Sequence, residues 1–144
     1  MPYLAINIAK YIINYCTDKN NPISNLKLQK ILFFSWVDFY KQKQQPLFND
    51  CICAWQFGPV IPEVYYNFCS YAGSPIIENY KIEIEDADKS VLDKIIDSYI
   101  KLSAYTLVEK SHKKNCSWDK TYQNGLGARN IISFELIKEI ECAI

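Results

Sequence analysis

The sequence predicts a mainly α fold (α+β): a single compact helical domain around a buried central helix, with a small β-hairpin-like element. Three observations predict it. Residues 25–44 are apolar nearly all round, through Leu28, Ile31, Leu32, Phe33, Trp36 and Val37, and a helix apolar on every side belongs in a core. Most other segments repeat apolar residues at helical spacing. One stretch, residues 51–68, joins a short β-like run to turn-forming glycine and proline. With 144 residues, 49% of them hydrophobic and 22% charged, the chain lies outside the composition of disordered proteins. A chain of this length buries roughly two-thirds of its unfolded surface in one domain, here residues 1–144.

In chain order, residues 3–17 read as a helix with Leu4, Ile8, Tyr11, Ile12 and Tyr15 on one face. Asn20-Asn21-Pro22 stops it, and Ser24 is placed to cap the central helix. A strand is expected at 51–55, and Pro62 suits the first turn of a helix over 62–71. Residues 80–85 (YKIEIE) alternate strictly and predict a half-exposed strand. Helical spacing returns at 87–101 and 103–111, a loop covers 124–127, and a terminal amphipathic helix spans 133–143.

Charge excludes some functions. There are 16 basic and 16 acidic residues, whereas phosphate-binding chains usually carry a basic excess or a basic face. Only Lys110, His112, Lys113 and Lys114 cluster, so nucleic acid is not expected as the ligand. The opening MPYLAINIAKYIINYC lacks a basic leader and places Asn7, Lys10 and Asn14 where a signal would be apolar. No stretch reaches the length of a membrane span. A cytoplasmic protein is expected, its six cysteines reduced and mostly packed.

Two chemical readings start from particular residues. The one histidine, His112, with Cys116 or Asp119 nearby, has the titration range of a general base and frames a small hydrolase-like enzyme as the alternative function. The competing reading has His112 cap a helix C-terminus through its charge and hydrogen bonds. Cys51-x-Cys53 with His112 and Cys116 lacks the Cys-x2-Cys spacing of structural zinc sites, and four glycines without phosphate-loop spacing offer nothing to a nucleotide. No metal or cofactor is expected.

The segment AWQFGPVIPEVYYNF (54–68) sets the sharpest question, since prolines interrupt its dense aromatic run. A strand or helix interior would exclude them. Gly58 permits a tight turn, Pro59 and Pro62 stiffen it, and Trp55, Phe57, Val60, Tyr65 and Tyr66 stand around a fixed corner. Trp55 is read as buried; Phe57 and Tyr66 are the surface candidates.

The ordered motifs LKLQKILFFSW (26–36), PLFNDCICAWQFGPVIPEVYYNF (46–68), LSAYTLVEKSH (102–112), Ser117-Trp118 and Gly127-Ala128-Arg129-Asn130-Ile131 resemble the Panacea domain family, also called SocA-like antitoxins or phage-associated GepA-like proteins. The resemblance covers nearly the whole chain from Ser24 onward. It implies a non-enzymatic antitoxin that neutralises a cognate toxin encoded by a neighbouring gene, in bacteria and prophages, through direct protein contact. It also allows a protease or chaperone as a second partner, and a role in degradation or operon control. With that function in view, Lys27, Lys30, Phe34, Asp38 and Lys41 form a narrow arc on the central helix. Such an arc is either the solvated edge of the helix or a docking face. In the second case Lys27, Lys30 and Phe34, with Phe57 and Tyr66, contact the toxin. Trp55, Gly58, Pro59, Val60, Pro62, Tyr65, His112 and Trp118 are then structural.

Overall fold

The computed structural model describes residues 2–143. Its axis is α2 (Asn25–Lys43), where twelve of nineteen residues are buried. Ser24 caps it, its Oγ accepting from the Lys27 N–H at 3.3 Å, and Gln44 ends it in the left-handed conformation at φ 55°. Trp36 is wholly buried, and its indole N–H donates to the Phe48 carbonyl at 2.8 Å. That bond moors the chain leaving α2 to the helix it has just left.

On one side α2 meets α1 (Ala5–Asp18), which buries Ile8, Ala9, Ile12 and Ile13. Leu4, expected on that face, is 61% exposed. Next to α1 lies α4 (Asp86–Ile100), packed on α2 through Leu92, Ile95, Ile96 and Ile100. Charge-assisted hydrogen bonds join the two helices, Tyr11 and Tyr15 donating their hydroxyls to Asp93 and Asp97, and Tyr3, just ahead of α1, donates likewise to Asp88. The spacing of four in both Tyr11/Tyr15 and Asp93/Asp97 gives successive rungs one helical turn apart. Burial, then the carboxylate partner, raises the pKa of each of these phenols.

Residues 80–85 are not the expected strand. The alternation is real, with Ile84 buried and Lys81, Glu83 and Glu85 exposed. The hydrogen-bond partners are side chains instead of a neighbouring strand. Asn14 accepts from the Tyr80 N–H and donates to the Tyr80 carbonyl, both at 2.8 Å, and the Tyr3 hydroxyl accepts from the Glu85 N–H.

The sheet has three antiparallel strands in the order β2-β1-β3: β1 (Ile52–Trp55), β2 (Gly58–Val60) and β3 (Ile131–Ile132). β1 and β2 form a hairpin with Ala54 opposite Pro59. Pro59 thus sits inside a strand, contrary to expectation. The physical reason is that β2 is an edge, where a missing N–H removes no ladder bond. Helix α3 (Pro62–Phe68) starts on Pro62 as expected, then tightens into a 3-10 turn at Cys69–Tyr71.

Helix α5 (Ala104–Ser111) is capped by Ser103. The six-residue helix α6 (Ser117–Tyr122) was not anticipated. Its cap is the Cys116 sulfur, which accepts from the Asp119 N–H at 3.4 Å; a thiol is a weak acceptor and carries no capping signal in sequence. The last helix, α7 (Phe134–Ile140), is shorter than expected. No helix among the described residues is long and apolar enough to cross a membrane.

Candidate partner-binding surface

The corner is held from beneath by polar side chains of α2. Gln29 and Lys30 are wholly buried and Asn25 nearly so. Lys30 Nζ donates to the Pro59 carbonyl at 2.9 Å, and Gln29 Oε1 accepts from the Ile61 N–H at 2.9 Å. Gln29 Nε2 in turn donates to Asn25 Oδ1, and Asn25 Nδ2 donates to the Tyr65 carbonyl. These residues stand one turn apart, or adjacent, on α2, and each meets main chain that would otherwise be buried without a partner. The underside of the corner is therefore built by the first turns of α2, through Asn25, Gln29 and Lys30.

Gly58 makes the closest approach. Its φ is +112°, and a Cβ there would lie 2.5 Å from Ser111 Oγ and 3.0 Å from Lys30 Cε. Ser111 cannot easily yield, being 3% exposed and bonded to the Val108 carbonyl. Gly58→Ala is expected to destabilise the fold by ~1–3 kcal/mol, from overpacking and a disfavoured φ. A urea-unfolding midpoint equal to that of wild type would contradict this.

Above this frame opens a groove of about 580 Å³, lined by Leu26, Trp55, Phe57, Tyr65, Tyr122 and Arg129 among others. Trp55 is half-buried instead of buried. Its ring meets Tyr65 edge-on at 5.0 Å and carries the Arg129 guanidinium 4.5 Å from its centroid. Arg129 is delivered by a turn at φ 70° whose N–H donates to the Ala54 carbonyl at 2.7 Å. Phe57, one of the lining residues, is 55% exposed; Tyr66, outside the lining but with its ring 5.9 Å from that of Trp55, is 58% exposed. Tyr122 and Arg129, both groove walls, carry no site signal in the sequence beyond the Gly127-Ala128-Arg129 motif.

His112, Trp118 and Tyr122 stack in series, with centroid separations of 4.0 Å and 4.7 Å. The Trp118 indole N–H donates to the Trp55 carbonyl at 2.7 Å, tying the stack to the end of β1. His112 occupies the C-cap position of α5. It is not the charged cap expected, because burial, and secondarily the nearby Lys30 charge, lower its pKa. Burial raises the pKa of Cys116, whose sulfur is engaged as the α6 cap. The imidazole is stacked on indole and the thiol is occupied as a helix cap, with no hydrogen bond between them among the described residues. The two therefore do not form an activated nucleophile pair. Cys51 is exposed and Cys53 buried. Among the described residues no three His, Cys, Asp or Glu side chains converge as metal ligands.

The family profile described as "Antitoxin SocA-like, Panacea domain" matches residues 28–119. The chain belongs to the Panacea domain family of SocA-like antitoxins. It is similar to the protein named Antitoxin SocA of Caulobacter vibrioides (strain NA1000 / CB15N), at 32% identity over 83% of this chain and 72% of that protein. No solved structure matches. The Panacea match takes in most of α2, the whole corner, α5 and the start of α6; Arg129 and Tyr122 lie beyond it.

In this Panacea chain the arc on α2 is not an exposed docking strip. Lys30 is wholly buried beneath Pro59, and Phe34 is buried at 9% exposure, stacked on Tyr99 at 5.1 Å. Lys27 Nζ donates to the Ile100 carbonyl, and Asp38 accepts from the Tyr99 hydroxyl. The reason is the packing of α4 across α2, which turns one supposed solvent face into an interhelical seam. Neither Lys30 nor Phe34 is positioned to meet a partner, and Lys27 is committed to the end of α4. Phe57 and Tyr66 remain as exposed members of the candidate surface.

Proposed function

We propose that this chain is a non-enzymatic antitoxin that neutralises a cognate toxin, encoded by a neighbouring gene, by direct binding through the aromatic groove. It acts as one domain in the cytoplasm. Family membership supports the antitoxin role. The observation that carries the binding mode is the groove itself: exposed Phe57 in its lining and exposed Tyr66 beside Trp55, on a corner held by a buried polar frame. Rigid aromatic side chains on a fixed backbone lose little entropy on binding and supply large contact areas.

Co-expression of the neighbouring gene product with this protein should yield a stable complex and restored growth. Phe57→Ala and Tyr66→Ala should each weaken that complex by ~2 kcal/mol, about thirtyfold in dissociation constant, if they are central anchors. Their thermal unfolding should match wild type, because both side chains are exposed. A neighbour that is not toxic, or rescue of growth without co-purification, would sink the direct-binding reading.

A further inference from the structure

A second opening lies between α2, α5 and α7, with a volume of about 390 Å³. Lys41, Lys110, Lys113 and Lys114 border it, and all four are exposed. None is among the ion pairs formed by the described residues, which join Lys43 to Asp88 and Lys138 to Glu135. The acidic groups of the cleft each accept an internal hydrogen bond. Asp38 accepts from Tyr99, and Glu141 Oε2 accepts from the Ser117 N–H at 3.0 Å, while Glu141 Oε1 is buried without a hydrogen-bond partner among the described residues. In a chain whose formal charge is zero, this is a concentrated cationic site with its local carboxylates turned inward.

Helix α6 connects it to the aromatic groove. Cys116, the α6 cap, lines the lysine cleft, and Tyr122, the last residue of α6, lines the groove. Six helical residues span only about 9 Å. We propose that the lysine cleft binds an acidic peptide segment of the same toxin that the aromatic groove holds, so that one partner straddles α6. This rests on the antitoxin reading above. The groove supplies the anchor and governs dissociation; the lysines steer encounter and set orientation.

The charge and shape favour this occupant. A nucleic acid is disfavoured because Phe34, Val37 and Ile140 line the cleft beside two carboxylates, with no exposed ring for base stacking. The densest exposed acidic run that a second copy of this chain could offer is Glu83, Glu85 and Asp86. Those residues lead into the first turn of α4, where negative charge already stabilises the helix.

The test compares full-length wild type with Lys113→Glu/Lys114→Glu, and with Lys113→Gln/Lys114→Gln in case charge reversal disturbs folding. A fluorescein-labelled Ser-Glu repeat peptide, followed by anisotropy in 50 mM salt, is the probe. Wild type should bind it, and both double variants should bind at least tenfold more weakly. With the neighbouring gene product, the double variants should slow association at least tenfold and flatten its salt dependence, whereas Phe57→Ala should speed dissociation. Unchanged peptide affinity in the double variants overturns the proposal. So does displacement of the peptide by an equimolar single-stranded oligonucleotide or by millimolar inorganic phosphate. A wild-type dimer in sedimentation that the double variants abolish would assign the cleft to a second copy and equally overturn it. If the lysine variants slow toxin association while Phe57→Ala and Tyr66→Ala change nothing, the groove reading fails and the cleft stands. The converse result fails the cleft alone.

Discussion

Trp118→Ala is expected to lower unfolding free energy by ~3–5 kcal/mol, the range for emptying a buried tryptophan site. The side chain is 8% exposed and forms the middle of the His112–Trp118–Tyr122 stack. Its loss leaves two rings without a face to pack on, and leaves the Trp55 carbonyl without its indole donor. Both defects lie at the end of β1, where Trp55 enters the groove, so toxin affinity should fall along with stability. Trp118→Phe restores much of the packing but not the hydrogen bond, and should recover only part of the loss. Urea denaturation of the three proteins measures this. A cost near zero for Trp118→Ala would show that the stack does not brace the corner.

The second large effect is a pH dependence set by Lys30. Burial alone pushes its ammonium down to about 7 from the ordinary 10.5. Between those values the unfolded chain holds a proton that the folded chain lacks, so unfolding free energy rises with pH through this window. Below about pH 7 the penalty for burying the charge is fully present, and above it the penalty is progressively relieved. From pH 7.0 to 8.5 the gain should be roughly 1.5 kcal/mol. That interval lies above the titration of His112, whose pKa is lowered from 6.5. Toward its upper end the packed cysteines, Cys16 among them with its pKa raised to about 12, begin to oppose the trend by ionising in the unfolded chain. The gain of roughly 1.5 kcal/mol is therefore the Lys30 contribution, read as the difference between wild type and a variant without that lysine. Lys30→Met should abolish the rise in this window, leaving only the shallow opposing slope of the cysteines. Equal slopes in wild type and variant would mean that another group carries it.

The lysine also shows where sequence reading reached its limit. The central helix was legible because its apolar residues cover nearly every side, and a bundle of this length has few other places for such a helix. Lys30 and Phe34 were not. A lysine on a buried helix looks the same in sequence whether it faces water or an edge-strand carbonyl 29 residues away. The charged helical neighbours of Phe34 predict an exposed ring, but α4 covers that side, and a pattern in α2 alone cannot register a helix packed over it. Residues 80–85 misled in another way. Strict alternation reports one buried face, and an extended chain lying on α1 has one just as a strand does. The surface at Phe57 and Tyr66 was visible because glycine and prolines announce a turn whose side chains cannot all point inward. Arg129 was not, since its place over Trp55 depends on a chain return of 74 positions.

Gln29 and Lys30 close the outer border of β2, and Pro59 brings no N–H to that border. An incoming chain therefore cannot extend the sheet there, a route that would demand a matching strand from every partner. What the corner offers is a set of side chains on a sealed backbone. Such a set can be rewritten residue by residue while the frame beneath is left alone, so a single architecture can be refitted to partners that share no fold with one another.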